Sequence, residues 1–371
     1  MPVLQPGAAL NGDIRRSKEV SERLVQDVRQ GVHARQVMES YQIWFGEGPE
    51  LSILRILALR GLWRYSLVTD KLSATMKIAK RVYSLAQGQN DSTLMIGAYR
   101  ALAVTFYYLG DFESARQNAI AGVQIWRSGG VESPVEEVTA PAVSCLSFEA
   151  LCQWHFGEIV SCHTAMAEAI SLAKELNDMQ ALTITLWHAG ILAHFEGDPA
   201  KVQRFASDAI ELATRQSIAQ FLAGGEVLRG WARSSYGDTA EGLAWIEGGI
   251  EGWQGTGTIL AVPYYLALKA EALHLADRTS EALGTISEAE AVVERREERW
   301  WSAELHRLRG VFLTAVGAEE SQIETSFCEA IRIAKEQKSV SLEKRAEGTY
   351  AEYRRQKASA SGGPGFRLPL L

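Results

Sequence analysis

Apolar residues return every three or four positions over most of this chain, as in the stretches Ala101 to Leu109 and Ala181 to Phe195. No sustained period-two alternation appears, so the pattern predicts helices and no strands. Within it a short apolar phrase recurs. It reads Val82-Tyr83-Ser84-Leu85-Ala86, Gly122-Val123-Gln124-Ile125-Trp126, Ala169-Ile170-Ser171-Leu172-Ala173 and Ala209-Ile210-Glu211-Leu212-Ala213. It continues as Gly249-Ile250-Glu251-Gly252-Trp253, a degraded Ala289-Glu290-Ala291-Val292-Val293, and Ala330-Ile331-Arg332-Ile333-Ala334. The starting positions are 40, 47, 40, 40, 40 and 41 residues apart. A step held this constantly marks a repeat array.

Polar punctuation keeps the same step. Gly110-Asp111, Gly157-Glu158, Gly197-Asp198 and Gly237-Asp238 each precede the phrase by one interval, and Asp70 and Asp277 stand at the corresponding places in weaker copies. Glycine accepts the left-handed conformation that ends one helix, and aspartate caps the exposed N–H groups of the next. Pro199 follows as a first-turn proline, where its missing N–H costs nothing. Each repeat is therefore a hairpin, with a helix before the corner (A) and a helix after it (B). Small residues eight positions before the acidic corner residue (Ala103, Ala150, Gly190, Gly230) predict close approach of the two helices. The chain is expected to be all-α, a right-handed superhelical solenoid of helix-turn-helix repeats of about 40 residues. In such an array A helices line the concave face.

The array is expected to occupy 51–338. Ser17 to Gln30 and Ala34 to Trp44, with Gly31 between, read as an N-terminal capping pair within 17–50, preceded by a tail over 1–16. Val340 to Arg355 reads as a C-terminal capping helix within 339–357. Residues 358–371, with Ser361-Gly362-Gly363-Pro364-Gly365, are expected to be disordered or loosely draped. The 47-residue step places a polar, proline-bounded loop at 129–141, with Ser133, Pro134, Glu136, Glu137 and Pro141.

The small residue, aromatic, Gly-Asp and alanine pattern of Leu102-Ala103, Phe106, Gly110-Asp111-Phe112 and Ala115 resembles the tetratricopeptide repeat. Two segments are similar to something narrower. Ala58-Leu59-Arg60-Gly61-Leu62-Trp63-Arg64-Tyr65 and the run Arg299-Trp300-Trp301-Ser302-Ala303-Glu304-Leu305-His306-Arg307-Leu308-Arg309-Gly310 resemble the helical-repeat arms of large bacterial signalling proteins. Those proteins join such an arm to an ATPase module and to an adenylate or guanylate cyclase or a LuxR-type DNA-binding domain. The resemblance, over roughly Ser17 to Lys357, implies a signalling arm. Neither an ATPase nor an output domain is present in this sequence, so their activities are not implied.

Charge and chemistry narrow the function. Lys and Arg number 38 against 45 Asp and Glu, a net charge of −7, which argues against a partner bound through phosphates. The one basic group, Arg354, Arg355 and Lys357, reads as a solvated helix end. No apolar run approaches a membrane span and no signal peptide is visible, so a cytoplasmic place is expected. Four cysteines (Cys145, Cys152, Cys162, Cys328) are too few for a disulfide framework. No P-loop, nucleophile elbow or His-Glu-x-x-His helix occurs. The glycines from Gly248 to Gly257 read as a helix exit. Cys152, His155, Cys162 and His163 flank one corner and could in principle meet zinc. Cys162, however, takes the small-residue place of Ala115, which favours a packed thiol, and neither metal nor cofactor is expected.

The expected activity is non-catalytic: a scaffold or regulatory arm binding a partner protein or peptide along its concave face. The alternative is a helical-repeat sensor of a small-molecule effector. The expected site is a row of equivalent A-helix residues, Tyr107, Trp154, His194 and Ser234, with Tyr108, His155, Phe195 and Ser235 one register along. Aromatic and imidazole groups there offer flat area with a polar edge. Trp63 and Trp231 share another A-helix position, and Trp126 and Trp253 a B-helix one, which assigns both pairs to packing.

Overall fold

The computed structural model describes residues 49–89, 91–129, 140–359, 368 and 370. The N-terminal capping pair and most of the 129–141 loop lie outside them. Fifteen helices and no strand are found among the described residues. Seven hairpins follow one another, each an A helix and a B helix: α1 (Pro49–Thr69) with α2 (Leu72–Gln87), α3 (Ser92–Leu109) with α4 (Phe112–Arg127), and α5 (Pro141–His155) with α6 (Ile159–Glu175). Then come α7 (Met179–Phe195) with α8 (Pro199–Arg215), α9 (Ala219–Ser235) with α10 (Thr239–Gly255), α11 (Val262–Leu275) with α12 (Thr279–Arg296), and α13 (Ser302–Ala315) with α14 (Glu320–Glu336). A single helix, α15 (Val340–Ser359), ends the array. The tetratricopeptide-like helical-repeat solenoid is therefore the fold.

The corners follow their chemistry. Gly110, Gly157, Gly197, Gly237 and Gly317 all have φ between 68° and 96°, the left-handed conformation that closes each A helix. Asp277 has φ 60° and so stands in the glycine's place, with Arg278 at the cap position after it. Asp111 and Asp198 cap as expected, accepting from the N–H of Ser114 and Lys201. Asp238 and Glu158 do not. Asp238 pairs with Arg233 at 3.0 Å, and Glu158 takes both arms of Arg116. An ion pair replaces the cap in both places, across the corner for Asp238 and from α4 of the preceding repeat for Glu158.

The small residues sit where helices touch. Ala103 and Ala150 are fully buried, and a β-carbon on Gly230 would meet the Gly242 carbonyl oxygen at 2.5 Å and the Ile246 nitrogen at 2.9 Å. Those atoms belong to the α10 backbone and cannot swing away. Gly230→Ala is thus expected to destabilise by about 1–3 kcal/mol despite the better helix propensity of alanine. Gly284, with open space around it on α12, should instead gain up to about 1 kcal/mol on the same change. Equal and positive effects on the urea midpoint at both sites would show that α9 and α10 are not in backbone contact.

Each A helix packs on the next A helix, while B helices meet only A helices in comparable measure, so the array curves with the A helices inside. The curve closes on itself. Ile259 N–H donates to the Val68 carbonyl (2.8 Å), Arg299 N–H to the Tyr108 carbonyl (2.8 Å), and Ser341 Oγ to the Trp154 carbonyl. The pairings span 191, 191 and 187 residues, so the turns of the later repeats cap the A-helix ends of the earlier ones at the repeat step itself. Carbonyls at the ends of α1 and α3 are satisfied in this way, and that of Trp154 in α5, which already accepts from the Gly157 N–H, gains a second donor. Of the C-terminal residues, Leu368 is buried and Leu370 packs against the core, its carbonyl taken by Arg307.

Candidate functional site

The expected row is assembled, but as a core. Tyr107, Tyr108, Trp154, His155, His194, Phe195 and Ser234 are each at most 4% exposed, and of the row Ser235 alone is exposed. Successive A helices bring the row together. The turn Glu297–Trp301 then fills the space before it, with Trp300 and Trp301 both 1% exposed. Trp301 stacks on Phe195 (centroids 4.6 Å apart, 15° between planes), and Trp300 packs against Tyr107 and Tyr108 at 5.5 and 5.7 Å. Trp154 lies 4.6 Å from Phe195, with the guanidinium of Arg345 at 5.4 Å from its ring. The interior therefore presents no open groove along these residues.

Most polar groups inside this core have specified partners, whereas the Trp301 indole Nε1 is buried with no hydrogen-bond partner among the described residues. His155 stacks on Phe112 at 3.5 Å and shares a 2.8 Å hydrogen bond with Ser339 Oγ through Nδ1. Burial, reinforced by the charge of Arg345, pushes its pKa well below the usual 6.5, so the ring is neutral. His194 Nδ1 lies 2.9 Å from the Tyr264 hydroxyl, and its Nε2 lies 3.6 Å from Glu271 Oε1, too far for a hydrogen bond, while Glu271 Oε2 accepts from Trp231 Nε1. Ser234 and Ser235 bond back to the carbonyls of Gly230 and Trp231 four residues earlier. Glu298 accepts from the Ala261 N–H and the Trp300 indole, and burial raises its carboxyl to about 7. Glu304 takes Arg307 (2.7 and 3.0 Å) and Arg345 (3.2 Å). Arg345 reaches on to the Phe195 carbonyl, and Arg307 to Thr349. These buried charges join α13 and α15 to the ends of α5 and α7.

The corner cysteines and histidines do not converge. Cys152 and Cys162 are fully buried, and burial pushes both thiol pKa values up. His155 faces Ser339, while His163 lies outside, 2.8 Å from Glu196. No group of three or more metal-ligating side chains stands together among the described residues. Arg355 and Lys357 pair with Glu352 and Glu320, and Arg354 lies over the Tyr350 ring, so the basic helix end is a solvated face.

A groove of about 360 Å³ opens on the outer side, where sequence reasoning placed nothing. Its walls are α6 and α8 and its floor is α7. Met166, Ile170, Leu192 and Phe205 make it apolar, and the small side chains of Ala167, Ala189 and Ala193 make it deep. His163, Glu196, Lys201 and Arg204 form its rim. No side chain in it carries a chemical signature, so only the packing of three helices reveals it.

No family model matches the chain. It is 23% identical over 349 residues to an uncharacterised protein of Rhizobium meliloti (strain 1021), covering 93% of this chain and 32% of that one. The chain thus spans about a third of that relative's length. Among solved structures it is similar to NprR in complex with its cognate peptide NprX (TM-score 0.62, 10% identity, 96% of this chain and 95% of that one). It is also similar to a Rap protein complexed with competence and sporulation factor (0.60, 9%, 95% and 99%). A third similar structure is aspartyl phosphate phosphatase F from Bacillus subtilis (0.54, 12%, 90% and 96%). At these identities the likeness is one of fold. No helix among the described residues is long and apolar enough to cross a membrane.

Proposed function

We propose that this chain is a non-catalytic regulatory scaffold that binds a peptide or a peptide-like segment of a partner protein. The observation that carries this reading is a solenoid whose interior is fixed by packing, with a preformed apolar groove left on its surface. A rigid helical framework with an open trough suits recognition of a segment. NprR, a protein of similar fold, was solved with its cognate peptide NprX, and the Rap protein with competence and sporulation factor, which supports the choice of a peptide. The longer Rhizobium relative, with the resemblance of 58–65 and 299–310 to arms of ATPase-coupled cyclases and LuxR-type regulators, supports a place as a signalling arm in the cytoplasm. The interior row from Tyr107 to Ser234 then serves as the hub that keeps the scaffold closed. A sensor enclosing a small effector finds less support, because the aromatic interior is occupied by Trp300 and Trp301.

The test is selection of a phage-displayed random library of peptides of about twelve residues on the immobilised full chain. Reproducible enrichment of related sequences, with free peptides that bind in solution, is the expected result. A chain that enriches nothing has no such site. Aspartyl phosphate phosphatase activity, for which one protein of similar fold is named, is checked by adding the chain to a phosphorylated receiver domain. Phosphate release above the buffer rate would contradict the non-catalytic reading.

A further inference from the structure

We infer that the outer groove between α6 and α8 is the peptide site, and that it selects an apolar side chain followed closely by a carboxylate. The inference rests on the scaffold reading and names its site and ligand.

The apolar half of the inference comes from a stripe on α6. Val160, His163, Ala167 and Ile170 are spaced three, four and three residues apart, so they share one helix face. Three of them line the groove, and Val160, 82% exposed, continues the stripe past its end. A valine so exposed at the mouth of an apolar trough extends the contact area for a segment lying along α6. From Val160 to Ile170 the helix rises about 15 Å, the span of four or five extended residues.

The charged half comes from the rim. Glu196 is already engaged, 2.8 Å from His163 Nε2 and 3.8 Å from Lys201 Nζ. Lys201 is further held by Asp198 at 3.1 Å. Arg204 differs. Its guanidinium lies 4.6 Å over the Phe205 ring, and no carboxylate among the described residues pairs with it. The aromatic face holds the guanidinium on the α8 wall of the groove while its N–H groups stay open to a ligand. A carboxylate suits that fork in a bidentate manner. The chain carries a net charge of −7, so a surplus cation beside an apolar trough is a local feature and not a consequence of overall charge. An apolar side chain entering between Ala167 and Leu192, with an acidic residue within a few positions, satisfies both halves at once. A segment carrying a second cation would meet Arg204 and Lys201 with like charge.

The peptides enriched on the wild-type chain are measured again on two variants, Ala167→Glu and Arg204→Glu. Both positions are exposed, so both variants should keep the wild-type unfolding midpoint. Enriched sequences should pair Leu, Ile, Phe or Met with Asp or Glu. Ala167→Glu places a carboxylate in the trough, within the groove shared with Arg204, and should weaken binding about tenfold or more. Arg204→Glu should weaken the same peptides comparably and, in a fresh selection, remove the acidic preference. Peptides that bind both variants as they bind the wild type would overturn the groove while leaving the scaffold reading intact. Enriched sequences with no acidic preference, lost only on Ala167→Glu, would overturn the carboxylate assignment. No enrichment on any of the three chains would remove both the groove and the scaffold.

Discussion

Replacing Glu304 by glutamine is expected to cost about 3–5 kcal/mol of folding stability, the usual penalty for breaking a buried ion pair from one side. Glu304 is 1% exposed and receives hydrogen bonds from both Arg307 and Arg345. Glutamine matches its shape but supplies one acceptor oxygen and no charge, so two guanidinium groups lose their common carboxylate, and that of Arg307 is itself fully buried. The loss reaches beyond α13. Arg345 also holds the Phe195 carbonyl and lies over Trp154, so loosening it frees α15 from the ends of α5 and α7. The pH dependence gives a second readout. Burial alone would raise the Glu304 pKa, but the two guanidinium charges and their hydrogen bonds overcome it and hold the carboxyl at about 2. Since the folded value lies below the unfolded one near 4.5, this stabilisation is complete above about pH 4.5. It is lost as the pH falls toward 2. The gap between wild type and Glu304→Gln in urea unfolding should therefore close over that acid window. A loss below about 1 kcal/mol at pH 7, or a gap that stays constant on acidification, would show that the three charges do not act as a unit.

The hairpins were readable because their causes are local. A left-handed glycine, a following cap and a small residue eight positions earlier each act within one repeat, and φ values from 68° to 96° at the corner glycines meet that expectation. The weaker corners reveal how local the reading is. Asp277 looked like a cap but carries the left-handed turn itself, since aspartate tolerates that conformation when no glycine is present. Closure of the superhelix was not readable. Period reports what neighbouring repeats share, whereas Val68 with Ile259 and Tyr108 with Arg299 lie 191 residues apart. An aromatic row with polar edges has the same composition whether it lines an open groove or a closed core. What decides between them is Trp300 and Trp301, which sit in an inter-repeat turn and outside the A-helix register. The outer groove left still less trace, because its depth comes from three alanines.

Trp154→Ala separates the two roles that the interior row could play. The side chain is 4% exposed, packs against Phe195 and His155 at 4.6 and 5.1 Å, and lies beneath Arg345. Truncating so large a buried aromatic removes its transfer free energy and leaves a void that rigid helices cannot collapse, an expected loss of about 3–5 kcal/mol. The urea midpoint should accordingly fall steeply while far-ultraviolet circular dichroism below the transition stays helical, since each hairpin keeps its own backbone hydrogen bonds. Peptides selected on the wild type should still bind the folded fraction with nearly unchanged affinity, because the outer groove is built by α6, α7 and α8. Arg204→Glu is the mirror case, with its midpoint kept and its binding weakened. A Trp154→Ala chain that keeps its midpoint yet loses the selected peptides would return the row to the role of a concave binding surface, and the closed interior would then be only one state of the solenoid.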